Sequence, residues 1–250
     1  MERRARIAEL VAQQRSVRVS ELSNLFQVSE VTIRNDLDLL AKQGLLVRDR
    51  GGALANTQAS LTIAFEQRAV LNQEEKRRIG DAAAQFVTPG DTIIIDAGTT
   101  TLEMARHLSN LSPLTVVTNA LNVAVQVGTL PDAHVILVGG SLNRDTISTI
   151  GPHAERDLND LLVNKVFLGI HAADLEAGLT DTSIEIAQIK RAMIRAGRQV
   201  ILLADSSKWG RVAFAKVAPL EAVHVIVTDS GLPDDTRAAC ERLGIRLVVV

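Results

Sequence analysis

Six consecutive residues, Asp96-Ala97-Gly98-Thr99-Thr100-Thr101, have the types and order that hold an anion. They follow a short apolar run, Thr92 to Ile95, that reads as a buried strand, and they lead straight into a helical pattern. Gly98 lets the backbone turn closely, and a helix that starts there points its free amides and dipole outward. That arrangement favours an anion, most simply a phosphate. A threonine-capped turn needs only one hydroxyl, and three stand here. Thr118-Asn119, Gly139-Gly140, Gly169 and Asp205-Ser206-Ser207-Lys208 end other apolar runs. In an open parallel sheet those ends form one rim, where Lys208 supplies a point charge for the same anion.

A second constellation lies near the start of the chain. Ser29 is placed to cap a helix from Glu30 to about Gln43, with Gly44 at its stop. Ile33, Leu37 and Leu40 recur at helical spacing and face inward, which turns Val31, Asn35 and Asp38 outward, flanked by Thr32 and Arg34. Arg34 suits a phosphate or a guanine edge, and Asn35 an adenine edge. Ser29 and Thr32 offer short hydroxyls to phosphates, as do Arg48 and Arg50 their guanidinium groups.

These residues need scaffolds. Residues 3–14 carry Ile7, Leu10 and Val11 on one helical stripe. Ser20 to Phe26 forms a second helix with Leu22, Leu25 and Phe26 inward, so 20–39 reads as helix-turn-helix. Leu45 to Val47 pairs with Ala53-Leu54 as a hairpin, with Arg48 to Gly52 at its tip. Helix, helix-turn-helix and hairpin in that order make a winged helix-turn-helix, whose last helix enters a DNA major groove. Residues 58–75 are polar without a strong period and read as a connection between a first domain, 1–57, and a second, 76–250. From Thr92 onward short apolar runs alternate with helical patterns. That predicts an α/β domain with a mainly parallel sheet covered on both faces. Strand order is not legible, and Ser141 to Ile150 shows no pattern.

With 250 residues the chain has room for one small module and one full domain. Aromatics are 2% and tyrosine is absent, so the cores are aliphatic. The net charge is −2, but residues 1–57 carry nine basic against seven acidic side chains while the rest carry 18 against 22. The first module is therefore the electropositive one. A single cysteine, Cys240, excludes an internal disulfide and a cysteine metal cluster. No histidine cluster points to a metal, and no residue pattern to a cofactor. No signal peptide or 18-residue apolar run is evident, so a cytoplasmic protein without membrane partners is expected.

The run VSEVTIRNDLDLLAKQGLLVRDRGGAL, with Thr32-Ile33-Arg34, Asp36-Leu37 and Arg50-Gly51-Gly52-Ala53, resembles the N-terminal signature of the DeoR family of transcription regulators. DAGTTT, VVTNALNVA, LVGGSLNR, KVFLGI, KRAMI and LADSSKWG resemble the same family's C-terminal sensor domain. The resemblance implies an operator-binding module with Thr32 and Arg34 at recognition positions. It also implies a sensor domain related in fold to ribose-5-phosphate isomerase and the CoA transferases. Its effector would be a phosphorylated sugar or related metabolite, held by Asp96, Gly98, Thr99, Thr100, Thr101, Asn119 and Lys208. Three positions depart from the family pattern: His171 stands where an aspartate is usual, and Ser183 and Ile186 where an asparagine and a glutamate are usual.

The expected protein is a repressor of a carbohydrate-utilisation operon that binds double-stranded operator DNA and is relieved by that effector. Repression itself is implied by the resemblance alone. One recognition helix reads few base pairs, so a homo-oligomer is expected. The alternative is a sugar-phosphate isomerase or CoA-transferase-like enzyme carrying a DNA-binding module. It would need a carboxylate base, for which Glu185 and Asp174 are the nearby candidates.

Overall fold

The computed structural model describes all residues except 1, 15, 43–45, 56–64 and 110–112. Gly44 and Leu45, expected at the end of the reading helix and the start of the hairpin, lie outside the described residues. The chain divides into two compact units, Met1–Leu71 and Asn72–Val250.

The first unit contains α1 (Glu2–Gln14), β1 (Ser16–Arg18), α2 (Val19–Phe26), α3 (Glu30–Lys42), β2 (Leu46–Asp49), β3 (Gly52–Ala55) and α4 (Phe65–Val70). Ile7 and Val11 of α1, Val19 and Leu22 of α2, and Ile33, Leu37 and Leu40 of α3 close one aliphatic core. Leu25 does not join it and is 61% exposed. At 3.6 residues per turn it lies roughly 90° from the stripe centred on Val19, Leu22 and Phe26, so the inward face of α2 is narrower than its composition suggests. The helix-turn-helix corner is fixed by side chains. Gln27 takes a left-handed conformation (φ 52°), its Nε2 donates to Asn24 O at 2.7 Å, and Ser23 Oγ donates to Val28 O at 2.6 Å.

The wing is a three-stranded sheet in the order β1-β3-β2. Leu46 and Ala53 turn inward while the next residue along each strand, Val47 and Leu54, a cross-strand pair, faces out, the alternation that a one-sided sheet requires. Arg48 and Asp49 belong to β2 rather than to the tip, which is Arg50-Gly51 with Gly51 at φ +82°. A Cβ on Gly52 would strike the Val17 carbonyl oxygen and lie 3.1 Å from the carbonyl carbon, because β1 pairs alongside β3 with Arg18 opposite Gly52. Gly52→Ala is therefore expected to destabilise this unit by about 1–3 kcal/mol. Chemical denaturation should show the loss; an unaltered midpoint would refute the β1–β3 packing.

The second unit begins with α5 (Gln73–Ala84), β4 (Thr92–Ile95), α6 (Thr99–Arg106), β5 (Leu114–Thr118), α7 (Leu121–Gly128) and β6 (Ala133–Leu137). It continues with β7 (Ser141–Asn143), β8 (Ser148–Ile150), α8 (Pro152–Asn159), β9 (Val163–Gly169), β10 (Ala172–Asp174), β11 (Gly178–Asp181) and α9 (Ile184–Ala196). It closes with β12 (Gly197–Leu203), β13 (Ala215–Ala218), β14 (Val225–Thr228), α10 (Asp234–Arg242) and β15 (Arg246–Val249).

Seven strands form a wholly parallel sheet in the order β15-β14-β12-β9-β4-β5-β6. Each central apolar run splits between two cores by alternation: Ile93 and Ile95 face one side with Phe167, while Ile94, Val166 and Leu168 face the other. Helices α5, α6 and α7 cover the first face, and α8, α9 and α10 the second. Doubly buried strands need continuous apolar runs, which is what the sequence shows.

Three features depart from expectation. The helix α5 starts at Gln73 rather than Lys76, inside the stretch expected as a connection. The patternless segment from Ser141 to Ile150 is a hairpin, β7–β8, tied down by the sheet beside it. A small antiparallel sheet, β10-β11-β13, adds Ala173, Leu179, Ala215 and Val217 to the second core. Its strands are three or four residues long, too short for periodicity to register, and β13 joins the β10–β11 hairpin from far along the chain.

Candidate functional site

The crevice follows from the strand order. From β4 the chain steps outward through β5 and β6, then returns to the other side of β4 with β9 and steps away through β12, β14 and β15. The order therefore reverses between β4 and β9, and at such a switch the connections diverge and leave a gap beyond the strand ends. Asp96 follows β4 and Gly169 ends β9, directly across that gap.

Asp96 is buried, and its Oδ2 accepts the Gly169 N–H at 3.1 Å. Lys190, on α9, donates to the same oxygen and to the Gly169 carbonyl at 2.8 Å, and lies 3.6 Å from Asp181. Burial pushes the Asp96 carboxyl above its ordinary 3.8, while the Lys190 charge opposes that rise. Lys190 and Asp181 were not among the residues expected here. The signal was present, since a lysine stands within the buried stripe Ala187, Lys190, Met193 of α9, where lysine is rare unless paired.

The α6 N-terminus stands next to this floor. Gly98 precedes it in extended conformation without a side-chain cap, so the first amides of α6 lack a local acceptor. Thr101 Oγ1 donates to Gly98 O at 3.1 Å, which spends one of the three hydroxyls on the turn. Thr99 and Thr100 are 9% and 7% exposed, and among the described residues their hydroxyls make no hydrogen bond. Asn119 follows the neighbouring strand β5 and is held by the β7–β8 hairpin through Thr149. Asp96, Gly98, Thr99, Thr100, Thr101 and Asn119 thus share adjacent strand ends.

Lys208 stands apart from them. It lies on a short helical turn after β12, two strands from β4, so about 10 Å along the sheet by strand spacing. Its neighbour Asp205 is buried and accepts from Ser207 N at 3.1 Å, Ser207 Oγ and Asn72 Nδ2 at 3.0 Å. Burial alone would raise the Asp205 carboxyl, but Lys208, Ser207, Lys76 and Asn72 together hold it below the ordinary range. Asp229, after β14, accepts the Ser206 N–H at 2.6 Å and completes this second polar cluster.

The departing positions have local roles. Ser183 Oγ accepts the Ile186 N–H at 3.2 Å and caps α9. His171 is half-buried just past β9. Asp174 accepts the Glu176 and Ala177 amides at 2.9 Å in the β10–β11 turn, which hold its carboxyl below the ordinary range. Glu185 is exposed. Neither expected base is a buried carboxylate; those beside Lys190 are Asp96 and Asp181, and those of the second cluster are Asp205 and Asp229. Among the described residues no group of three or more ionisable ligands could hold a metal ion, and no helix is long and apolar enough to cross a membrane.

On the first unit α3 presents Val31, Arg34, Asn35 and Asp38 outward, with Val31 63% exposed and Thr32 half-buried. Ser29 Oγ accepts the Thr32 N–H at 3.2 Å and bonds Thr32 Oγ1 at 2.9 Å, so both hydroxyls already serve the cap. Arg34 pairs with Glu30 at 2.5 Å, one turn back. Arg48 donates to Asp38 at 2.8 Å and to Gly52 O at 2.7 Å, bracing the wing against α3. Arg50 is exposed at the wing tip. Asp36, which the signature shares, is buried against Arg3 of α1 at 2.7 Å and is structural.

Comparison with known proteins places both units. Residues 3–59 match the model of the DeoR-like helix-turn-helix domain, and residues 71–230 that of the DeoR C terminal sensor domain. The helix-turn-helix regulator YulB of Bacillus subtilis is 41% identical over all of this chain and 96% of its own. A putative aga operon transcriptional repressor of Escherichia coli O157:H7 is 36% identical, covering 100% of this chain and 93% of its own. The transcriptional repressor AccR of Agrobacterium fabrum is 35% identical, covering 99% and 96%. A solved ribose 5-phosphate isomerase from Methanocaldococcus jannaschii covers 55% of each chain at 14% identity and a TM-score of 0.41, too remote to bear on function.

Proposed function

Because this chain belongs to the DeoR family of helix-turn-helix transcriptional regulators, we propose that it represses a carbohydrate-utilisation operon and releases its operator when a phosphorylated sugar occupies the second unit. The family makes it a DNA-binding regulator and not an enzyme. Repression is supported by the names of two relatives, an operon repressor and AccR. The phosphate is supported above all by the uncapped start of α6 with two unspent threonine hydroxyls, set at the sheet's switch point. On the DNA, Arg34, Asn35 and Val31 read base edges. Ser29, Thr32 and the wing arginines Arg48 and Arg50 hold phosphates.

Within the crevice Asp96, Gly98, Thr99, Thr100, Thr101 and Asn119 hold the effector, and Lys208 meets its far end. Two copies or more present paired reading helices to repeated half-sites. Ligand acts only through unequal affinity for the DNA-competent and DNA-incompetent arrangements. A fragment from upstream of the regulator's own operon should bind the purified protein, and one member of a sugar-phosphate panel should release it. The same compound should raise the melting temperature of the free protein. Binding that no phosphorylated sugar alters would sink the effector half of this reading and leave the DNA half standing.

A further inference from the structure

Where β5, the neighbour of β4, passes into α7, two side-chain amides carry polar atoms that have no partner among the described residues. Asn119 is 2% exposed and rigidly held: its Nδ2 donates to Thr149 O at 3.0 Å, and its own carbonyl accepts the Thr149 N–H at 2.8 Å. With the nitrogen turned toward Thr149, Oδ1 is directed away from it, buried and without a hydrogen bond. Asn122, in the first turn of α7, uses its Oδ1 to accept the Val123 N–H at 2.9 Å. Its Nδ2 is left buried and without a partner. The bond that each amide does make fixes which end is oxygen and which nitrogen. An unmet acceptor and an unmet donor thus stand three residues apart, where β5 passes into α7. That strand is the immediate neighbour of β4, from which α6 springs.

Buried polar atoms without partners are rare, and each asks for a group that is missing. We propose that Asn122, together with Asn119, forms the hydroxyl-recognising subsite of the effector crevice. A hydroxyl is both donor and acceptor, so one alcohol group can donate to Asn119 Oδ1 and accept from Asn122 Nδ2. The effector is then a hydroxylated phosphate monoester whose anion sits on α6 and whose nearer hydroxyl is read by this pair. Both atoms are closed from solvent here. The β7–β8 hairpin is bonded to Asn119 through Thr149, and its Ile147 carbonyl accepts the Leu121 N–H at 3.0 Å. Reaching the pair therefore requires the hairpin to shift, and the two unmet atoms favour that shift when a ligand offers them partners. This inference rests on the reading of α6 as a phosphate site, and its test separates the two.

The full chain is titrated with inorganic phosphate, glycerol 3-phosphate, ribose 5-phosphate, glucose 6-phosphate and fructose 6-phosphate while thermal unfolding is followed. Asn122→Ala should melt like the parent without ligand, bind inorganic phosphate as the parent does, and bind the preferred sugar phosphate about tenfold more weakly, one buried hydrogen bond's worth. Equal sugar-phosphate affinity in parent and variant overturns the subsite. So does a variant whose only change is a lower melting temperature without ligand. Absence of any shift in the parent, with phosphate or with any sugar phosphate, overturns the phosphate reading and the subsite together. Should Asn122→Ala fail to fold, deoxy analogues of the preferred compound test the unaltered protein. Removal of one hydroxyl should cost about tenfold, and equal binding by all of them overturns the subsite.

Discussion

Replacing Lys190 by methionine will destabilise the second unit by about 3–5 kcal/mol, the usual cost of leaving buried charge without its partner. The Lys190 side chain is 5% exposed and neutralises two carboxylates, Asp96 and Asp181, that are themselves 3% and 8% exposed. Methionine keeps the length of the stem but removes the charge and the bond to the Gly169 carbonyl. The loss will depend on pH with a definite sign. Burial already lifts Asp96 above 3.8 in the folded chain, and removing the opposing lysine lifts it further. A carboxyl whose folded value lies above its unfolded value contributes stability that is fully present below about 3.8 and is lost as pH rises through the folded value. The deficit of Lys190→Met should therefore widen as pH rises above about 3.8. Urea midpoints across that range measure it, and a deficit below about 1 kcal/mol at every pH, or one that narrows as pH rises, would contradict the role assigned to this cluster.

Arg34→Ala should weaken operator binding about 10- to 100-fold, the loss of one bidentate contact worth about 1–3 kcal/mol, while leaving the melting temperature in place. Arg34 is half exposed, and its partner Glu30 is also exposed. A surface pair one turn apart contributes only a few tenths of a kcal/mol, so DNA takes the guanidinium from Glu30 at little cost. The salt dependence of binding tells which contact is made. If Arg34 holds a phosphate, the slope of log affinity against log salt should become shallower by about one contact, and all sequences weaken alike. If it holds a guanine edge, the slope stays and discrimination at one base pair is lost. Arg48 offers the contrast, because its Nε and Nη1 already hold Asp38 and Gly52, so its removal should lower stability as well as phosphate contact. Undiminished binding by Arg34→Ala would remove α3 from the DNA.

Much of the module was legible beforehand because its determinants are local. The spacing of Ile33, Leu37 and Leu40 fixes which side of α3 is wet, and the Ser29 cap fixes where it begins. A helix repeats every 3.6 residues whatever it packs against. The apolar runs that became β4, β5, β9, β12 and β14 were equally plain, since a strand buried on both faces has no polar alternation to obscure it. Leu25 shows the limit: its composition suits the core, but the turn angle at the end of α2 puts it outside.

The sequence by itself determined two units, the wet face of α3, and a glycine-threonine turn that opens a helix after a strand. Only the tertiary structure decided that β4 and β9 are neighbours across the reversal of strand order, because a parallel pairing joins segments more than sixty residues apart with no local signal. That pairing brings Gly169 to Asp96, α9 delivers Lys190 to both, and the β7–β8 hairpin fixes Asn119 with one oxygen left over. Strands and caps are written in neighbouring residues. The crevice is written in which strands lie side by side.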